Sequence, residues 1–279
     1  MQQYQYETRP RAFSTKFLTS QADSLVLAPR LSTGLGTQFV LKSAEVQNRS
    51  GSTSAVGIGG RLPIALWEAG HWDQSDYAAG TVYTDDTVDA QDAGTSDFAL
   101  GTISVNDDGF VIGCDVPFNI VSVMVGTATL DGSPVFDLAY TIATAGTGES
   151  NNFKVITNPL VAPLFTSTGE QLIWFAIPTD WVAVTAATAV VDRHGKGMPE
   201  KFCLRIRQTT AGTTAIGDAS LLILGHMVNS LENLADNNGA TWGASESEFT
   251  LLPQCDAIAA AISTANNQNL ATVSYRMKG

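Results

Sequence analysis

Residues 110–145 read FVIGCDVPFNIVSVMVGTATLDGSPVFDLAYTIATA, and their alternation decides the fold class. In FVIGCDV, Phe110, Ile112, Cys114 and Val116 fall on one face. In IVSVMV, Val121, Val123 and Val125 oppose Ser122 and Met124. In FDLAYTI, Phe136, Leu138, Tyr140 and Ile142 turn away from Asp137, Ala139 and Thr141. A period of two is what a strand with one face in a core requires. LDGSP at 130–134, and NDDG upstream at 106–109, supply the Asx and Gly positions of tight hairpin turns.

The same period extends outward in both directions. Phe39 and Leu41 alternate with Val40 and Lys42. Leu172 and Trp174 alternate with Ile173 and Phe175, and Phe202, Leu204 and Ile206 with Cys203, Arg205 and Arg207. With no long helical pattern between them, these strands predict a mainly β protein. Its core, over 36–225, is an antiparallel β-sandwich or jelly-roll-like fold. Residues 1–35, with Pro10 and Pro29 and no steady period, read as an extended N-terminal arm, so that removing residues 1–30 is expected to spare the core. Residues 226–279 read as a small C-terminal extension with short helices. In HMVNSLENLADNNG, Met227, Leu231, Leu234 and Ala235 share a helical face, with Asn237-Asn238-Gly239 as a stop. Pro253–Ala265 places Cys255, Ile258 and Ile262 together on a second, and ATVSYRM at 271–277 is a last strand.

Among 279 residues, 44% are apolar, enough for a sizeable core, while only 15% are charged. The net charge of −12 is unevenly placed. Residues 1–49 carry 6 basic and 3 acidic side chains, residues 50–190 carry 2 and 16, and residues 191–279 carry 7 and 8. An acidic middle repels phosphate backbones and anionic lipid, so neither nucleic acid nor membrane is an expected partner. The first twenty residues lack the apolar region of a signal peptide, and no apolar run reaches the ~18 residues that span a bilayer. Cys114, Cys203 and Cys255 are widely spaced and odd in number, which suggests neither a disulfide framework nor a zinc site. Folding in a reducing cytoplasm is expected, where the Asn48-Arg49-Ser50 sequon has no meaning.

Chemistry is scarce. TDDTVDAQDAGTSD at 84–97 holds Asp85, Asp86, Asp89, Asp92 and Asp97 without a basic residue. An EF-hand frame begun at Asp89 fails, because Gln91, Ala93 and Leu100 stand where oxygen ligands belong. The stretch reads as a solvated loop. His71, His194 and His226 have no metal spacing, and HGKG at 194–197 and GIGG at 57–60 lack phosphate-loop frames. The glycines of GIGG read as places where the backbone turns or a strand bulges. His71 has Glu68, Asp73 and Asp76 as neighbouring acids. No catalytic residue, cofactor or metal is expected, and hence no enzyme. Trp67, Trp72 and Tyr77 could form a carbohydrate platform or pack under a loop or in an interface, and packing is the favoured reading.

Three phrases carry a resemblance: NDDGFVIGCDVPFN (106–119), TGEQLIWFAIPTDWVAV (168–184) and KFCLRIRQTTAGTTAIGDASLLILG (201–225). Over residues 80–225 the chain resembles structural proteins of tailed-bacteriophage virions. The resemblance implies a β-sandwich of the capsid decoration, or cement, type on the outer capsid surface. It further implies assembly as a homotrimer and the major capsid protein as partner. The phrases look like fold determinants, with Trp181 buried, and carry no functional residue across. Arg9, Arg11 and Lys16 of the arm are the expected capsid or subunit contacts. The alternative is a tail or fibre component that binds host carbohydrate through Trp67, Trp72 and Tyr77. A polysaccharide depolymerase using an acid pair is a further rival.

Overall fold

The computed structural model describes residues 11–16, 24–27, 38–72, 83–94, 97–100, 109–126, 135–143, 153–165, 167–185, 199–210, 218–243, 248–252, 254–264 and 266–278. They are strands and their connections, apart from a single 3-10 turn at Ile64–Leu66 and a short helix, α1 (Thr87–Gln91). The defined strand pairs are antiparallel, as the mainly β reading requires. The chain forms two compact units, one from residues 1–63, 120–122 and 223–279, the other from 64–119 and 123–222.

The first unit holds two sets of strands. In one, β1 (Arg11–Lys16) pairs β18 (Leu270–Lys278), β18 pairs β3 (Gln38–Gln47), and β3 also pairs β15 (Gly239–Trp242) and β16 (Phe249–Thr250). In the other, the order is β14 (Asp218–Leu234), β4 (Ser54–Arg61), β17 (Ala257–Ile262) and β2 (Ser24–Leu27). The described parts of the N-terminal arm therefore belong to the fold. β1 runs from Arg11↔Tyr275 to Lys16↔Leu270, and β2 edges β17 from Leu27↔Ala259 to Ser24↔Ile262. Removing residues 1–30 would open the edges of β18 and β17, which corrects the expectation of an untouched core.

The two expected C-terminal helices are strands. β14 runs straight through Met227, Leu231 and Leu234. Its ladder with β4 slips between Met227 and Asn229, and again between Leu231 and Leu234. Each slip inserts an extra residue into β14, and of the three apolar residues that suggested a helical face Met227 and Leu234 are buried while Leu231 is 44% exposed. Asn237, at φ 61°, turns the chain from β14 to β15 instead of ending a helix. In β17, AIAAAI is buried at every position and paired on both edges, to β4 and β2. Two ladders and two covered faces outweigh the helical preference of alanine. Gly59 of β4 lies against the first slip: a Cβ there would stand 2.1 Å from the His226 carbonyl oxygen and 2.5 Å from Met227 Cα. The sequon is spent internally, since buried Asn48 donates from Nδ2 to the carbonyls of Ser52 and Leu234, both at 2.8 Å.

In the second unit a six-stranded sheet has the order β11 (Phe153–Val155), β10 (Val135–Thr141), β13 (Phe202–Thr210), β8 (Gly109–Cys114), β5 (Trp67–Trp72), β6 (Tyr83–Asp85). Beside it, β12 (Gly169–Trp174), β9 (Ile120–Val125) and the first residues of β14 pair in turn, with β7 (Phe98–Ala99) on β14. β8 is buried on both faces, not one as its alternation suggests. Its second face is covered because Gly113 leaves room for Pro199, and because Val111 joins a core of Tyr83, Ala139, Phe153, Val184 and Cys203. Buried Arg205 lays its guanidinium 4.4 Å from the Phe153 ring centroid, and Arg207 pairs Asp137 through two hydrogen bonds. The expected turns at 106–108 and 130–134 lie outside the described residues.

Candidate interaction surfaces

The acidic stretch is more ordered than a solvated loop. Asp85 ends β6, and its Oδ1 accepts hydrogen bonds from the Thr87 amide (3.0 Å) and hydroxyl (2.6 Å), starting α1. The Thr87 hydroxyl in turn receives the Ala69 amide of β5 at 3.0 Å, and Asp86 N donates to Ala69 O at 3.0 Å. Asp92 Oδ1 accepts the Gly94 amide at 2.7 Å. These acids close turns, as short side chains with an acceptor do, which the composition alone did not reveal. Among the described residues no cluster of three or more His, Cys, Asp or Glu could hold a metal ion.

Around α1 two apolar side chains stand in solvent: Val88 is 80% exposed and Ile64 51%. Gln91, at the end of α1, donates from Nε2 to Ile64 O at 3.2 Å. Asp85 and Asp92 are exposed and Asp86 and Asp89 half-buried around them. No Lys or Arg occurs in the sequence between Arg61 and Lys154.

Trp67 is 2% exposed, so its ring is packed inside and offers no face to a sugar. Trp72 stands at the end of β5 opposite Tyr83, and Tyr77 lies outside the described residues. No aromatic platform is assembled among the described residues. Trp67 Nε1, His71 Nε2 and the Tyr83 hydroxyl are buried without a hydrogen-bond partner among the described residues. Burial, reinforced by Asp85 and Glu68, pushes the Tyr83 phenol far above its usual range. The acid that faces His71 is Asp86, whose carboxyl is raised by burial while His71 opposes the rise. Asp73 and Asp76 lie outside the described residues, and Glu68 turns to Lys201 instead.

Several other charged groups are tied together. Lys201 Nζ bridges Asp115 (2.6 Å) and Glu68 (3.6 Å) and donates to Leu66 O (3.3 Å), joining the ends of β8, β5 and β13. Asp180 receives Lys154 Nζ and the Tyr140 hydroxyl, each at 2.7 Å, and those two bonds hold its carboxyl below the ordinary value. Cys114, Cys203 and Cys255 are buried thiols outside any disulfide. Burial pushes Cys114 up to about 11 and Cys203 higher still. Of the expected contact residues, Arg11 and Lys16 begin and end β1 and Arg9 lies outside the described residues.

No protein-family model and no curated protein matches the chain. Among solved structures there is a faint likeness to two viral ones. A structure of infectious bursal disease virus, Gx strain, is 7% identical over 96% of this chain and 80% of that one, with a TM-score of 0.14. The mavirus penton protein is 9% identical over 95% and 98%, with a TM-score of 0.12. Both are viral, and scores this low carry no argument about fold or function. No helix among the described residues is long and apolar enough to cross a membrane.

Proposed function

We propose that the chain is a non-enzymatic virion structural protein that attaches to the outer capsid surface of a tailed bacteriophage and stabilises the shell. The major capsid protein would be its partner, and self-association as a homotrimer its working state. One observation carries the reading: the three phrases of the resemblance meet in a single core. Phe118 comes from the first, Phe175 and Trp181 from the second, Phe202 from the third. Trp181 lies 5.2, 6.0 and 6.2 Å from the rings of Phe118, Phe175 and Phe202. The phrases thus act as one unit of fold, which supports treating the resemblance as whole and not as scattered short matches.

A cement role needs no catalytic group. A protein that binds only the assembled shell stabilises it by mass action, and several weak feet per oligomer multiply through effective concentration. Burial of Trp67 counts against the carbohydrate-binding alternative. The test is co-sedimentation of purified protein with shells stripped of it. Saturable binding, with shells that then resist heating, supports the reading. Protein left in the supernatant at every concentration would sink it.

A further inference from the structure

The chain contains a single Asn-Gly pair, Asn238-Gly239, and the fold leaves it open to reaction with itself. The pair lies where β14 turns into β15, and both residues are exposed. Asn237 takes the left-handed conformation just before it, and the Asn238 amide closes the turn on Ala235 O at 3.3 Å. An asparagine side-chain amide can be attacked by the main-chain nitrogen that follows it, and a glycine there has no Cβ to block the approach. The attacking nitrogen must also be free of the ladder.

The register supplies that freedom. Gly239 stands opposite Gln47, and the Asn48 amide donates to Asn238 O at 2.9 Å. Bonded and non-bonded pairs alternate along an antiparallel ladder, so Asn48 and Asn238 form a bonded pair and Gly239 and Gln47 a non-bonded one. The Gly239 N–H therefore points away from β3, and no described strand pairs that edge of β15. Glu45 Oε1 lies 2.9 Å from the point where a Gly239 Cβ would stand, which sets a proton acceptor beside the residue.

We propose that Asn238-Gly239 is a self-modifying site. The Gly239 nitrogen attacks Asn238 Cγ, a new N–Cγ bond closes a succinimide ring, and the Cγ–Nδ2 bond breaks. The Gly239 amide proton leaves with that nitrogen as ammonia. Water then opens either side of the ring, giving aspartate or isoaspartate. In isoaspartate a methylene enters the main chain and the Asn238 carbonyl becomes a side carboxylate, so its bond with the Asn48 amide is displaced. Asn48 is buried and holds this turn through Asn237 N as well, at 2.8 Å, and through its side-chain bonds to Ser52 O and Leu234 O. Disturbing a buried bonded group of this kind weakens the fold. The reaction needs no partner and stands whether or not the chain binds a capsid.

The test is incubation of the folded full chain in mildly alkaline buffer, followed by peptide mapping in a mass spectrometer and labelling with an isoaspartyl methyltransferase. Asn238 is expected to convert at a rate within about tenfold of that in the denatured chain. Labelling of the peptide that holds residue 238 is expected to vanish in Asn238→Gln, whose longer side chain disfavours the ring. Folded protein that keeps Asn238 intact while the denatured chain converts overturns the proposal, because the fold would then protect the pair. Aged wild type is expected to melt below fresh protein, whereas Asn238→Asp, which gains the charge and keeps the backbone, stays close to it. An aged chain rich in isoaspartate that melts with fresh protein overturns the displacement of the Asn48 bond.

Discussion

Replacing Trp181 by alanine tests whether the three phrases hold the second unit together. The indole is 6% exposed and packs edge-on or tilted against Phe118, Phe175, Tyr140 and Phe202, at centroid distances of 5.2 to 6.2 Å. A buried tryptophan removes about 200 Å² from water, worth about 5 kcal/mol at roughly 25 cal/mol per Å². The cost of truncation in other cores is about 3–5 kcal/mol, because the residual cavity relaxes only in part. The lost Nε1 bond to Thr141 Oγ1 (3.2 Å) adds little, since that hydroxyl keeps its bond to Val182 O. A loss of about 4 kcal/mol is expected, a large share of the about 5–15 kcal/mol that holds an ordinary domain. Trp181→Phe keeps a ring in place and is expected to cost about 1–2 kcal/mol. Urea unfolding followed by far-ultraviolet circular dichroism measures both, with the slope against denaturant unchanged. A loss below about 1.5 kcal/mol for alanine, or equal losses for alanine and phenylalanine, would refute the packing argument.

Three other outcomes follow from the same geometry. Gly59→Ala drives a methyl into the backbone of β14 and is expected to destabilise the first unit by about 3 kcal/mol or more, read from its thermal midpoint; a shift within error would show that β14 can yield. Asp180, with its carboxyl held low by Lys154 and Tyr140, contributes stability that is present above the ordinary carboxylate pKa of about 3.9 and lost as pH falls through the depressed value. The midpoint gap between wild type and Asp180→Asn should therefore be widest above about pH 4 and close in more acidic buffer. The three thiols are expected to resist an alkylating reagent at pH 8 in the native protein and to react in full in denaturant, because they are buried and Cys114 titrates near 11. Mass spectrometry counts the adducts, and rapid native labelling would contradict their placement.

The strands around residues 110–145 were legible because their alternation runs through them, and the one shift in the β10–β13 ladder lies at its end, between Val135 and Phe136. β14 was not, since two bulges interrupt its period of two and Leu231 stands exposed, and β17 was not, since a run of alanine has no period at all. In both, pairing between residues far apart in the chain overrode the local pattern. The N-terminal arm lacks a core pattern for a similar reason. β1 is an edge strand with two small exposed residues, and only its ladder to Leu270–Tyr275 shows that it belongs to the sheet. Among the candidate sites, the absence of an EF-hand frame was readable from the spacing of Asp89, Gln91 and Ala93. The turn-closing roles of Asp85 and Asp92 depend on backbone geometry that composition does not carry. Trp67 and Trp72 are close in sequence, yet Trp67 is drawn inside by the pairing of β5 with β8, a contact visible only once the sheet is formed.

The most direct measurement is electron cryomicroscopy of the parent virus particle, with and without this protein. The account predicts regular added density on the capsid faces, and shells that burst more readily when it is missing. Density confined to the tail, with capsids equally robust in both preparations, would contradict it.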